Sequence, residues 1–164
     1  MSHNIYYIED SSMHFEELYK ELKNTKLNLY PSLEKWEEEV QIIKLYIQNQ
    51  NTENKQTLIN LFLSYDIDLF IIDISLFHLD SGGTLIFESV IEKNKEFKDK
   101  YIIFLTSPDS QKLVYTAPNI LFEHKSKNAD KSIDFKLTAN KVYGNIKELL
   151  KIKDTFEDVV DDLL

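Results

Sequence analysis

Cysteine and arginine are both absent from the sequence, and glycine and proline occur only three times each. Without Cys there is no disulfide framework, no thiol nucleophile and no Cys-based zinc site. The absence is compatible with a reducing compartment. Without Arg, all 19 basic residues are Lys, and the formal net charge is -9. An acidic chain with no Arg fork for phosphates or guanine edges points away from direct DNA or RNA binding. Charge of this sign serves solubility first. The scarcity of Gly and Pro leaves no linker, and no repeat is visible, so most of the 164 residues are expected to form one domain. No apolar run approaches the roughly 20 residues of a membrane helix. The start, Met1 to Asp10, lacks the basic and apolar stretches of a signal peptide. A cytoplasmic location without membrane contact is the expectation.

Hydrophobic residues make up 43% of the chain, with nine Tyr, ten Phe and Trp36, enough for a sizeable core. Short apolar runs alternate with longer amphipathic segments. Strands are expected at Ile5 to Ile8, Leu27 to Tyr30, Leu69 to Ile72, Tyr101 to Leu105 and Ile120 to Phe122. The run before Asp73 is apolar without alternation, as in a parallel strand buried on both faces.

Ser11 or Ser12 can cap a helix carrying Phe15, Leu18, Tyr19 and Leu22. Leu33, Trp36, Val40, Ile43 and Ile47 fall on one helical stripe after Ser32, although Val40 to Ile47 is β-branched enough to compete as a strand. The polar stretch from Gln48 to Gln56 reads as a loop before another helix with Leu58, Leu61, Phe62 and Tyr65. Gly82-Gly83 reads as a turn before a helix from about Thr84 to Phe97. Pro108 suits the first turn of a short helix ending near Thr116. Asp130 or Ser132 would open the last helix, with Val142, Ile146, Leu149 and Leu150 on its apolar face. The predicted fold is a doubly wound α/β domain of five parallel strands in the order 2-1-3-4-5, helices on both faces. The domain is expected over 1–152, and 153–164 as an acidic helix or the start of a linker.

In such sheets reactive groups gather beyond the carboxyl ends of the strands. The first strand ends in Glu9-Asp10, the third in Asp73, the fourth in Thr106-Ser107 and the fifth in Glu123-His124-Lys125. Three carboxylates this close cannot all stay ionised without compensation. A hard cation with oxygen ligands, such as Mg²⁺, supplies it, and Lys125 adds a second positive charge. The set suits a carboxylate that accepts a phosphoryl group.

The pattern resembles the receiver domain of two-component response regulators from about Asn4 to Leu150. By that resemblance Asp73 is the phosphoacceptor, served by a histidine kinase or phosphotransfer protein. Mg²⁺ is held by Glu9, Asp10, Asp73 and the backbone carbonyl of Ser75. Lys125 pairs with the phosphoryl group. Thr106 and Phe122 are the switch pair, and the family's fourth helix, fifth strand and fifth helix form the output face, with a homodimer possible there. The downstream partner is a protein of unknown identity, and the chain is expected to be a signalling module, not an enzyme.

The chain also departs from the family. Phe77 and Ser126 stand where the family usually has Pro, and the second of those normally follows a cis bond. The interval from Asp10 to Asp73 is 63 residues (73 − 10), longer than usual, and implies extra helix at about 33–66. These changes motivate an alternative, a receiver-like interaction module that works without phosphorylation. A third reading is a small metal-dependent enzyme on the same type of sheet, for example with a nuclease-like fold, using Glu9 and Asp73. Asp68 is read as a strand-start residue, and His78 and His124 as loop residues, because Mg²⁺ prefers oxygen.

Overall fold

The computed structural model describes residues 3–77, 82–106 and 117–152. Its strands are β1 (His3–Ile8), β2 (Leu27–Tyr30), β3 (Leu69–Asp73), β4 (Tyr101–Thr106) and β5 (Ile120–His124). They form one parallel sheet in the order β2-β1-β3-β4-β5. The helices are α1 (Ser12–Leu22), α2 (Trp36–Gln48), α3 (Thr52–Leu63), α4 (Gly82–Ile86) and α5 (Phe135–Leu150).

Two apolar layers sandwich the sheet, set by the alternation of side chains along each strand. On one face Tyr6, Ile8, Phe70, Ile72, Ile102 and Phe104 meet Ile43, Ile47, Leu58, Phe62 and Ile86 from α2, α3 and α4. On the other, Ile5, Tyr7, Leu69, Ile71, Ile103 and Leu105 meet Phe15, Leu18 and Leu22 of α1 and Val142 and Ile146 of α5. Every residue of β3 is buried, as its unbroken apolar run implies.

The connection from β2 to β3 carries two helices. Val40 to Ile47 is helical, which resolves the strand alternative. Glu39, in the first turn of α2, is buried at 4% exposure. The Tyr6 hydroxyl donates to its Oε1 at 2.9 Å, and the Tyr65 hydroxyl donates to Oε2. A carboxylate with two phenol donors at a helix N-terminus is well satisfied, so this pair of bonds ties α2 to β1 and to the end of α3.

Several local expectations are corrected. Leu33 lies before α2 and is 41% exposed. Most of the polar stretch 48–56 is helix, because the Asn51 side chain accepts the Asn54 amide at 2.7 Å and caps α3. α4 starts at Gly82, two residues earlier than expected, and loosens after five residues into a π-helical stretch, Phe87–Ile91. There Ser89 Oγ donates back to the Leu85 carbonyl at 2.6 Å, and the Glu92 amide reaches Phe87 O at 2.8 Å. Asn94, accepting the Glu96 amide at 2.8 Å, turns the chain before Phe97. Asp130 and Ser132 form a tight turn, and Asp134 caps α5 by accepting the Leu137 amide at 2.9 Å. The helix expected at about 108–116, Ser107, His78 and the tail 153–164 lie outside the described residues. Among the described residues no helix is long and apolar enough to cross a membrane.

Candidate functional site

β1, β3, β4 and β5 end at the same edge of the sheet. Their registers pair Ile8 with Ile72, Asp73 with Leu105 and Thr106 with His124. Parallel pairing at these registers brings Glu9, Asp73 and Lys125 together. Lys125 Nζ lies 2.5 Å from Asp73 Oδ2 and 3.3 Å from Glu9 Oε1. Glu9, Asp73 and Lys125 are at most 9% exposed. The second Asp73 oxygen, Oδ1, accepts the Ser75 amide at 2.9 Å. The backbone behind Asp73 is closed by α4. A Cβ on Gly83 would fall 2.2 Å from the Asp73 carbonyl oxygen, so the helix approaches this closely only with glycine there.

Burial drives the electrostatics of this cluster. Desolvation first, and then the charge of Glu9, raises the Asp73 carboxyl from 3.8 to about 8. Burial also raises Glu9, with Lys125 opposing the shift. The two carboxyls share a hydrogen bond, so one proton resides on the pair near neutral pH. Burial pulls Lys125 down, but the two carboxylates outweigh it and hold the ammonium charged. Beneath Glu9, burial and the Glu9 charge keep the Tyr7 phenol neutral, and it hydrogen-bonds to Glu9.

Asp10 stands at the mouth. Its Oδ2 accepts the Phe77 amide at 2.9 Å. Phe77 has φ 53°, a left-handed conformation that proline cannot adopt, and a proline has no N–H to give. The departure at Phe77 therefore supplies the donor that holds Asp10. At the other departure, the Ser126 amide donates to Thr138 Oγ1 at 2.9 Å, a bond closed to proline. Among the described residues the one cis peptide is Tyr30-Pro31.

The donor set fits a hard divalent cation by chemistry. Glu9, Asp10 and Asp73 offer oxygen donors, and with one proton shared between Glu9 and Asp73 the three carboxyls still exceed the Lys125 ammonium by one negative charge. Their arrangement is closed by internal bonds. No trio of His, Asp or Glu among the described residues is already converged as a metal cage. The Lys125 ammonium bridges Glu9 and Asp73, and Phe77 holds Asp10, so these bonds would have to exchange for the three carboxyls to hold a cation.

Thr106, 6% exposed, is bonded to His124 Nδ1 at 2.7 Å and not to Asp73. Phe122 is half-buried and stacks on Phe104, ring centroids 5.2 Å apart. The structure thus gathers Glu9, Asp73 and Lys125, keeps Asp10 and Ser75 at the rim, and sets Thr106 and Phe122 on the adjoining strands.

Two participants are not evident from the sequence. His14 Nδ1 is 3.2 Å from Glu9 Oε1 and 3.5 Å from Lys125 Nζ. Burial and then Lys125 lower its pKa, so it is neutral there. Its position one turn after Asp10, with helical side chains leaning toward the N-terminus, is the signal that could have found it. Trp36 donates Nε1–H to the Glu9 carbonyl at 3.0 Å.

The comparisons concern the fold. A response regulator from Thermotoga maritima superposes with a TM-score of 0.50 at 11% identity, covering 93% of this chain and all (100%) of that one. The chain has the fold of a response-regulator receiver domain. A receiver domain protein from Bacillus halodurans matches at 13% identity and TM-score 0.44, over 86% of this chain and 97% of that one. The Mn(2+)-bound form of response regulator Rcp1 matches at 16% identity and TM-score 0.44, over 84% and 90%. No protein-family profile matches the sequence, and no curated relative does.

Proposed function

We propose that this chain is a receiver module that accepts a phosphoryl group on Asp73 from a phosphohistidine of a kinase or phosphotransfer protein. The observation that carries the reading is the buried Glu9–Asp73–Lys125 cluster at the carboxyl edge of a receiver-fold sheet. In the transfer an Asp73 oxygen forms the P–O bond and the phosphorus–nitrogen bond to the donor breaks. The attacking carboxyl must be ionised, and Lys125 favours that form. Mg²⁺, held by Glu9, Asp10, Asp73 and the Ser75 carbonyl, would neutralise charge on the phosphoryl oxygens. Lys125 then exchanges its bond to Asp73 for a phosphoryl oxygen. Thr106 leaves His124 and turns toward the new charge, and Phe122 follows, biasing the family's fourth helix, fifth strand and fifth helix toward a downstream protein or a second copy. This is a signalling role, without turnover of a substrate.

The test is incubation with Mg²⁺ and acetyl phosphate, read by intact mass. A single phosphoryl adduct on the wild type, absent from Asp73→Asn, is expected. No adduct on the wild type refutes phosphoacceptance. A second reading, an interaction module that never takes phosphate, draws on the closed state of the pocket: Lys125 already satisfies Asp73, and Thr106 is already bonded to His124. Partner capture that is unchanged in Asp73→Asn, together with no adduct, would favour it.

A further inference from the structure

We propose that Trp36 is a positioning residue for cation binding, and that α2 thereby belongs to the acidic site; the inference rests on the reading of Glu9 and Asp10 as cation ligands. Glu9 and Asp10 are joined by one planar peptide unit. Both polar atoms of that unit are held. Its carbonyl oxygen accepts the Trp36 indole N–H at 3.0 Å, and its amide donates to Glu9 Oε2 at 3.1 Å. Fixing both atoms fixes the plane, and with it the position of the Asp10 Cα from which the side chain leaves the backbone.

The indole is itself held. Its ring packs on Phe15, centroids 5.8 Å apart, and Phe15 stacks on Tyr7 at 5.3 Å. Tyr7 lies beneath Glu9. A chain of aromatic contacts therefore runs from α2 through α1 to the strand that ends in the acidic pair. On its outer side Trp36 shares a groove with Asp10, Val40, Lys44 and Phe77. The groove thus joins Trp36 to the residue whose amide holds the Asp10 carboxylate. Glu9 is 1% exposed, so water has little access to its carbonyl if the indole is removed. The peptide plane would then be free to rotate away from the geometry the two carboxylates need.

Groups that orient cation ligands from behind change affinity when removed, typically by about tenfold or more. The test uses the full chain and Mn²⁺ alone, with free Mn²⁺ counted by its EPR signal. Trp36→Phe keeps a ring against Phe15 and removes the donor. Replacing Trp36 by its benzothienyl analogue keeps the whole shape and puts sulfur in place of the N–H. Both are expected to bind Mn²⁺ about tenfold more weakly than the wild type, with the far-UV spectrum unchanged. Asp10→Asn is expected to abolish binding. Wild-type affinity in both Trp36 variants, with binding lost in Asp10→Asn, overturns the inference alone. Wild-type affinity in the benzothienyl variant and weak binding in Trp36→Phe also overturns it, since ring shape is then what matters. No Mn²⁺ binding by the wild type overturns the cation site and the inference together.

Discussion

The raised Asp73 carboxyl makes a prediction about stability that is independent of any phosphate donor. The group ionises at 3.8 as an ordinary Asp and at about 8 in the folded protein. Between those values the folded state holds a proton that the unfolded chain has released. Stability therefore falls as pH rises through this window. The loss amounts to about 1.4 kcal/mol per pH unit where the proton difference is complete. From pH 6.5 to 8.5 the Asp73 contribution drops by about 2 kcal/mol, because the folded group begins to ionise within the interval. In Asp73→Asn that slope should vanish. The Asn amide opposes one N–H donor, from Lys125 or Ser75, a cost equal at both pH values. His14, held neutral, adds little above pH 6.5. The assay is urea unfolding in EDTA at both pH values, for wild type and variant. The wild type should lose about 2 kcal/mol more than Asp73→Asn over the interval. Saturating Mg²⁺ should flatten the wild-type curve, since a cation replaces the proton. Equal pH slopes in the two proteins would refute the assignment of the shared proton to this pair.

Three further substitutions test packing and charge at the site and elsewhere in the fold. Gly83→Ala places a methyl 2.2 Å from the Asp73 carbonyl, which is backbone and cannot yield, so α4 must lift; a loss of about 2–3 kcal/mol is expected by urea unfolding. Gly144→Ala, at an exposed position of α5 with nothing within 4 Å, should instead stabilise by about 0.5–1 kcal/mol in the same assay. Glu39→Gln turns one acceptor into a donor facing a phenol, and should cost about 1–3 kcal/mol while leaving Mn²⁺ affinity unchanged.

The sheet was legible because its strands are short apolar runs between polar turns, and β3 in particular has no polar residue before Asp73. The convergence of Glu9, Asp73 and Lys125 was legible for the same reason: each follows such a run, and a parallel sheet aligns the ends. What was not legible depended on register or on packing over the sheet. Thr106 meets His124 only because β4 and β5 pair those two residues. The π-helical stretch arises where Ser89 bonds back to Leu85 and also accepts the Tyr46 hydroxyl at 2.8 Å, a contact between segments 43 residues apart. The bond from Trp36 to Glu9 requires α2 to lie across the end of β1, and no spacing in the sequence announces that. The start of α3 is hidden in the sequence for a different reason. Its polar composition reads as a loop, although Asn51 followed by Thr52 and Glu53 is a capping sequence that local hydrogen bonding favours.

The departures from the receiver pattern do not scatter over the fold; they fall mostly on one side of the site. Phe77 supplies an amide to Asp10, and the helix pair between β2 and β3 supplies Trp36 to the peptide that joins Glu9 and Asp10. Both act on the acidic pair, and both border the same groove. On the far side, Ser126 changes how the chain leaves Lys125, yet the ammonium still reaches Asp73 at 2.5 Å. Glu9, Asp73 and Lys125 are buried together, and the Phe77 and Trp36 contacts hold the acidic pair at the rim. Placing these contacts on the acidic pair predicts that Mn²⁺ affinity will depend on Trp36 while acetyl phosphate labelling at saturating Mg²⁺ will not.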